Sequence, residues 1–464
     1  MSLEKSEIYE FGEFRLDVGE HRLEAVRGEV NGSLPEKAFQ TLVVLLRNSG
    51  TLVTKEGLLA AVWPDAVVEE NNLGKAVHAI RQFLGARGAD HIYIQTIPKH
   101  GYRFVADVAR IHDSDTSGVT DSSNSRRVFP GGSPAYDLYI RGKVKAGSEN
   151  TADTDDAIKV LEAAVAVDPY YAAAYAQLAR AYNTRSFKFT TRSEGKVLQE
   201  NADVAVAKAL DLDPGLAEAH FARGLILWTK SKGFPHEQSI TSFKRALELA
   251  PEDDETHHQL SMVYSHIGLL DEAQEHIARA IEINPNNTMA RFRVGVYTAW
   301  QCRFEKALAI LKTVPGDVSP MLVDRVRAEV LIHLGSLDDA ETIVDKYLRD
   351  NPIDEGGSLT SVKALLLAKA GDSKEAEKMI GRAREIGKNF GHFHHTAHNI
   401  ASAYAAIGML DESVEWLERA ADDGFPNYTY FAGDPNLNAS RRHRPFVELM
   451  SRLKRQWERF QKLV

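Results

Sequence analysis

"QLSMVYSHIGLLDEAQEHIARAIEINP", Gln259 to Pro285, decides the fold of most of this 464-residue chain. Leu260, Tyr264, Gly268, Ala273, Ile277, Ala280 and Pro285 stand where two short helices can cross, with small residues allowing close approach and bulky ones filling the gap. The unit ending at Pro285 is 34 residues long, and it recurs. Prolines at 169, 214, 251, 285 and 352 close the segments "AVDP", "LDP", "LAP", "INP" and "DNP", the first four at intervals of 45, 37 and 34. The excess in the first interval falls around "TRSFKFTTRSEG", read as a longer loop between helices. Leu178, Ala179 and Tyr182 repeat the first-helix part of the pattern, and Ala202, Val206 and Ala209 the second. Gly295, Ala307 and Leu311 mark another unit, and Tyr404, Gly408, Leu417 and Ala420 a late one. About seven or eight such units fit between residues 135 and 430.

Period and phased residues together resemble the tetratricopeptide repeat. That resemblance implies an α-solenoid over 135–430 whose inner groove is lined by the first helix of each pair. In this phasing Phe221, Trp228, His258, Met262, His266, Phe292 and Trp300 point inward. Aromatics with histidines suit an extended peptide, a protein segment or an apolar small ligand, and they equally suit packing between repeats. "GHFHHTAH", Gly391 to His398, places His394 and His398 four apart on a helix, the spacing of a metal pair. No cysteine and no Glu-X-X-His partner accompanies them, so a polar helix start is the reading adopted and no metal is expected. The tail "SRRHRPFVELMSRLKRQWERFQKLV" carries eight Lys/Arg against two Asp/Glu. It reads as an amphipathic cap (431–464) on the last repeat, with Phe446, Leu449 or Met450, Leu453 and Trp457 inward. A second nucleic-acid contact is the other reading of its charge.

The first hundred residues have a different period. From Ile8 to Glu29 the pattern is short and strand-like, with turns at Gly19-Glu20 and Gly28. From Pro35 it becomes helical: Phe39, Leu42, Val43, Leu45 and Leu46 form the stripe of one helix, which ends before Ser49-Gly50. Thr54 is placed to cap a second helix closed by Pro64, and a third runs from about Asn71 to Leu84. "YIQTIPKHGYRF", Tyr93 to Phe104, then alternates on both sides of a tight turn, as a hairpin does. Residues 109–134 read as a linker, since "DSDTSGVTDSSNSRRVFPGGSP" (113–134) has too few large apolar side chains to bury a core.

Charge singles out the third helix and the hairpin. The chain carries a net charge of −9, and residues 1–70 hold 7 Lys/Arg against 13 Asp/Glu. Residues 71–110 reverse the sign, with 6 against 2. Leu73, Val77, Ile80 and Leu84 form the buried stripe of the third helix. The opposite face carries Asn71, Asn72, Lys75, His78, Ala79 and Gln82, with no carboxylate. Amides can bond bidentately to adenine edges, and lysine suits guanine or phosphate. A polar solvated face is the plain alternative for this helix taken alone.

Strands, three helices and a basic hairpin make a winged helix-turn-helix. Over residues 8–108, "FGEFRLD", "EKAFQTLVVLLRNSGTLVTKEGLLAAVWPD", "VVEENNL" and "YIQTIPKHGYRF" resemble the OmpR/PhoB-type DNA-binding domain. The resemblance implies that Asn71–Leu84 is a recognition helix in the major groove and that the hairpin is a wing. Asn71, Asn72, Lys75, His78 and Gln82 would then face bases. Arg81 and Lys55 would lie near phosphate, and Lys99, His100 and Arg103 would belong to the wing. The loop from Trp63 through Asp65 and Glu69 to Glu70 matches the segment that in this family contacts RNA polymerase. Compared with relatives bearing several arginines on this helix, Asn71, His78 and Ala79 dilute the charge. Fewer released counterions mean weaker binding per monomer, so a homodimer or repeated sites on double-stranded DNA are expected. A receiver module before the winged helix and a membrane anchor are both expected to be absent.

Composition excludes other classes. There is no apolar run long enough to span a membrane, and the start lacks a signal-peptide core. The single cysteine, Cys302, fits a reducing cytosol and thus a cytoplasmic protein. No Walker loop, His-Glu-X-X-His or Gly-X-Ser-X-Gly occurs, so neither an enzyme nor a cofactor is expected. The expectation is a mostly α chain: a DNA-binding winged helix (1–108), a linker (109–134), a repeat solenoid that senses or assembles (135–430) and a cap (431–464). A scaffold whose winged helix contacts protein instead of DNA is the competing class.

Overall fold

A computed structural model describes residues 7–12, 14–25, 34–63, 70–84, 93–97, 101–111 and 134–464, apart from 149, 190, 191, 286, 317 and 389. Two compact units divide the chain: Met1–Arg185 with Val204–Pro214, and Ser186–Asp203 with Gly215–Val464. The first unit thus joins the expected winged helix (1–108) to residues 135–185 of the expected solenoid. Within the first unit, Lys143 Nζ meets the Asp107 carboxylate at 3.4 Å.

The first unit opens on three antiparallel strands, β1 (Ile8–Phe11), β2 (Phe14–Asp17) and β3 (Arg22–Ala25). The run "YEFGEFRL" is therefore two strands. Gly12, at φ +53°, turns between them, and a Cβ there would lie 2.5 Å from the Tyr93 hydroxyl. Helix α1 (Glu36–Arg47) buries Phe39, Leu42, Val43, Leu45 and Leu46 as their spacing demands. Next come strand β4 (Leu52–Thr54), helix α2 (Lys55–Val62) and helix α3 (Glu70–Phe83). The Thr54 hydroxyl accepts the Gly57 N–H at 2.9 Å, the expected N-cap. The hairpin is β5 (Ile94–Ile97) and β6 (Gly101–Phe104), which joins β4 in the sheet order β4-β6-β5. Phe11, Phe14, Tyr93 and Phe104 stack their rings between the two sheets at centroid distances of 5.1 to 6.3 Å. Strand β7 (Ala109–Ile111) corrects the start of the linker, because it pairs with β1 in the register Ile8↔Ile111 and extends the first sheet. Residues 112–133, the remainder of that expected linker, lie outside the described residues.

Helices follow in pairs. In the first unit α4 (Pro134–Lys145) packs on α5 (Thr151–Val167), with Gly142 so close to Leu161 that a Cβ would lie 2.3 Å from its Cγ. The long helices α6 (Ala172–Phe189) and α7 (Arg192–Leu212) are shared between the units. In the second unit α8 (Ala217–Leu227) pairs with α9 (His236–Leu249), and α10 (Asp254–His266) with α11 (Leu270–Ile283). The pairs α12 (Thr288–Trp300) with α13 (Phe304–Leu311) and α14 (Pro320–His333) with α15 (Leu337–Asp350) continue the stack. The last are α16 (Ser358–Lys369) with α17 (Ser373–Gly387), and α18 (Phe393–Ala406) with α19 (Leu410–Asp422). Glycine at the crossings does what the pattern requires: a Cβ on Gly224 would lie 2.6 Å from the Phe243 ring, and one on Gly295 2.8 Å from Leu311.

After α19 the chain does not simply cap the last pair. It forms α20 (Tyr428–Gly433), a 3-10 turn (Pro435–Arg442) and α21 (Arg444–Phe460). Helix α21 buries Phe446, Leu449, Met450 and Leu453 against its neighbours, while Trp457 is half-buried and donates its indole N–H to Gly268 O at 3.1 Å. Phe460 packs 5.9 Å from the His236 ring. The cap thus reaches back from the eighth helix pair to the third and fourth. The seven residues expected to line an open groove, Phe221, Trp228, His258, Met262, His266, Phe292 and Trp300, are 8% exposed or less. Phe425 lies 4.9 Å from the Trp300 ring and 5.4 Å from His266, and Tyr430 lies 6.0 Å from Trp300. The chain's own C-terminal segment takes the place an external ligand would need.

Candidate nucleic-acid interface

Helix α3 rests on α1 and α2 through Leu73, Ala76, Val77 and Ile80, all buried, as is Leu84 just beyond its end. That leaves Asn72, Lys75, His78 and Gln82 exposed along the other side, with Ala79 half-exposed between them. Asn71 and Glu70 occupy the first positions of the same helix. The buried stripe orients the polar face, so hydrophobic periodicity alone aims these donors outward. Over its length after Glu70 the helix presents amides and cations without a carboxylate.

Arg81 does not join that face. Its Nη2 donates to Ile94 O at 2.8 Å and to Thr96 Oγ1 at 2.7 Å, and its guanidinium sits 5.9 Å over the Tyr102 ring. Burial lowers its pKa, with the Tyr102 ring opposing the shift. The side chain expected near phosphate therefore braces the helix to the hairpin. This is a fixed polar link between the two elements that would touch a duplex, and the spacing of apolar residues along α3 does not show it.

The hairpin pairs antiparallel in the register Ile97↔Gly101 and Thr96↔Tyr102, with Phe104 fully buried as its anchor. Gly101 also faces Thr54 on β4, and a Cβ there would lie 2.0 Å from Val53 O, so only glycine fits. Arg103 lies on β6 between Leu52 and Gln95, half-buried. Lys99 and His100, at the hairpin tip, lie outside the described residues. Lys55 opens α2 and is half-exposed.

In the expected polymerase loop, Trp63 ends α2 and its ring lies 5.6 Å beneath the Lys37 ammonium, which donates to Val62 O at 2.6 Å. Asp65 and Glu69 lie outside the described residues. One cluster had no sequence signal. Glu7, before β1, accepts two hydrogen bonds from Arg47 at 2.7 and 3.0 Å and a further one from Arg110. Hydrogen bonding from Arg47 holds its carboxyl below the usual range, and the ties join β1, α1 and β7. The partners are 40 and 103 residues away, beyond any local pattern.

Residues 29–104 match the family described as transcriptional regulatory protein, C terminal. Residues 254–287 and 394–422 match the tetratricopeptide repeat. The transcriptional regulator HilA of Salmonella typhimurium is 39% identical over 79 residues, which is 17% of this chain and 14% of that protein. The sensory transduction protein RegX3 of Mycobacterium tuberculosis is 33% identical over 97 residues, 21% of this chain and 42% of that one. The chain thus spans less than half the length of these relatives. A thermophilic tetratricopeptide protein of Thermus thermophilus superposes with a TM-score of 0.31 at 25% identity, covering 36% of this chain and 81% of that one. Among the described residues no helix is long and apolar enough to cross a membrane. The chain carries an OmpR/PhoB-type transcriptional regulatory domain at its N-terminal end, followed by tetratricopeptide repeats.

Proposed function

We propose that the chain is a sequence-specific regulator of transcription that binds double-stranded DNA through α3 and the β5–β6 hairpin. The observation that carries this reading is the exposed, carboxylate-free row Asn72, Lys75, His78 and Gln82, set opposite a fully buried stripe on one helix. A helix of this kind fits the major groove, where amides and lysine read base edges. Lys55, Arg103, Lys99 and His100 serve the backbone and the wing. Trp63 and the following residues to Glu70 offer RNA polymerase a surface next to the helix. Few cations per monomer favour binding as a dimer.

The repeats supply control. Because residues 423–431 and α21 cover the inner rings, a peptide, protein or small ligand at those rings enters by displacing the chain's own segment. Partners that leave it in place use the outer helices.

The test uses the full chain and genomic fragments selected by it. Lys75→Ala weakens binding, relaxes the preference at the base it faces and, with one cation fewer, lowers the slope of log affinity against log salt by up to about 1. Gln82→Ala changes which fragments are enriched. If neither substitution alters affinity, salt slope or sequence preference, α3 is not the reading element, and a protein-binding role for the winged helix takes its place.

A further inference from the structure

The inner end of the second unit holds three imidazoles that the reading of α3 leaves unused. His266 closes α10, the first helix of the fourth pair. His392 caps α18, the first helix of the eighth, and His394 lies in its first turn. One ring nitrogen from each falls within 4.8 Å of the other two. The sequence pointed to His394 with His398, but the fold separates that pair. His398 Nε2 turns to the Asp434 carboxylate at 3.0 Å, while His394 turns to His266, more than a hundred residues away in the chain.

Tautomers follow from the hydrogen bonds. His266 Nδ1 lies 2.8 Å from Met262 O and His394 Nδ1 lies 2.9 Å from Asp423 O. A carbonyl only accepts, so both Nδ1 atoms carry the proton and both Nε2 atoms carry a lone pair. Each of those Nε2 atoms is buried without a hydrogen-bond partner, in side chains 1% and 0% exposed. A nitrogen lone pair buried in this way lacks the donor that water would supply. A backbone carbonyl on the far nitrogen is the arrangement that orients histidine toward a metal. Rings surround the cluster: Trp228 lies 5.0 Å from His266, Phe425 lies 5.4 and 5.8 Å from His266 and His394, and a fourth imidazole, His395, lies 5.3 and 4.4 Å from the same two.

We propose that His266, His392 and His394 bind one divalent transition-metal ion of the zinc class. Three imidazoles with no carboxylate favour zinc, copper, nickel or ferrous ions over magnesium and calcium. Tetrahedral bonds of about 2.0 to 2.1 Å place ligand nitrogens roughly 3.4 Å apart, so the rings close by up to about 1.4 Å on binding. Three protein ligands leave a fourth position for water or an external ligand, on the side of His392, which is the half-exposed member. The ion joins α10 to α18 and fastens the superhelix where the C-terminal segment crosses it.

The experiment uses full-length, tag-free protein with zinc chloride and, separately, cobalt chloride. Equilibrium dialysis with elemental analysis gives one ion per chain, and saturating zinc raises the melting midpoint by several degrees. His266→Gln with His394→Gln loses the ion and the rise in midpoint, while His220→Gln, away from the site, keeps both. X-ray absorption of the wild-type zinc complex shows three imidazoles in the first coordination sphere, a readout that stands even if the double variant misfolds. Less than half an ion per chain, retention of the ion by a folded double variant, or a spectrum without imidazole scattering overturns the proposal.

Discussion

Asn427→Ala removes the residue that ties the C-terminal segment to the fourth helix pair. Asn427 is fully buried, and its Nδ2 donates to Ser265 O at 2.8 Å across 162 positions of sequence. Its Oδ1 accepts the Tyr430 N–H at 3.0 Å, which caps α20, and the Thr429 hydroxyl at 3.1 Å. Losing the cap costs about 1 kcal/mol. Ser265 O keeps the Gly268 N–H at 3.4 Å and the Ile267 N–H of the helix end, and losing its buried Asn427 donor adds about 1 to 3 kcal/mol. The sum is roughly 2 to 4 kcal/mol, a fall in melting midpoint of roughly 4 to 8 °C for a unit of this size. Asn427→Ser retains an N-cap oxygen without the long-range donor and falls between the two. Scanning calorimetry of the full chain measures the midpoint, and hydrogen exchange at the end of α10 reports whether the segment has lifted. A change within about 0.5 kcal/mol, or unaltered exchange there, refutes the view that this contact holds the inner face shut.

Gly101→Ala drives a methyl into Val53 O, so β4 and β6 separate; hydrogen exchange at Leu52–Thr54 rises and DNA affinity falls with it, whereas an unchanged exchange rate contradicts the geometry. Gly224→Ala overpacks against the buried Phe243 ring and costs about 1 to 3 kcal/mol by denaturant unfolding. Acid has a definite signature. Burial pushes His236 and His258 from an ordinary 6.5 down to about 3. The unfolded chain takes up protons below pH 6.5 that the folded rings refuse, so their stabilisation is complete above that pH and is lost as pH falls toward 3. The loss is about 1.4 kcal/mol per pH unit for each ring, read as a falling denaturation midpoint between pH 6.5 and 5. His236→Gln with His258→Gln reduces that slope by the share of the two rings, and a wild-type midpoint constant over the same range contradicts the assignment.

Much of the architecture was legible because it rests on local periodicity. The stripe Leu73, Val77, Ile80 and Leu84 identified α3 and its outward face, Thr54 marked the start of α2, and Gly268 and Gly295 phased the helix pairs. Each signal lies within one or two turns of the residues it describes. The misreadings share the opposite property. Arg81 looked like a phosphate contact because its partners, Ile94 and Thr96, belong to another element. Trp300 looked like groove lining because nothing in its own repeat announces that Phe425 and Tyr430 cover it. Residues 109–111 looked like linker because a three-residue edge strand needs β1 to give it meaning.

Side-chain order along the chain was enough to specify a winged helix with a carboxylate-free outward face and a stack of two-helix repeats, since both are written in spacings of two, three or four residues and in a 34-residue period. Closure of the second unit belongs to the tertiary structure. Asn427 on Ser265, Trp457 on Gly268, and His392 and His394 beside His266 are pairings across more than a hundred residues. They exist only because the curvature of the stacked helices brings the eighth pair around to the fourth. Curvature accumulates from small rotations at every repeat, and no single stretch of sequence displays that sum.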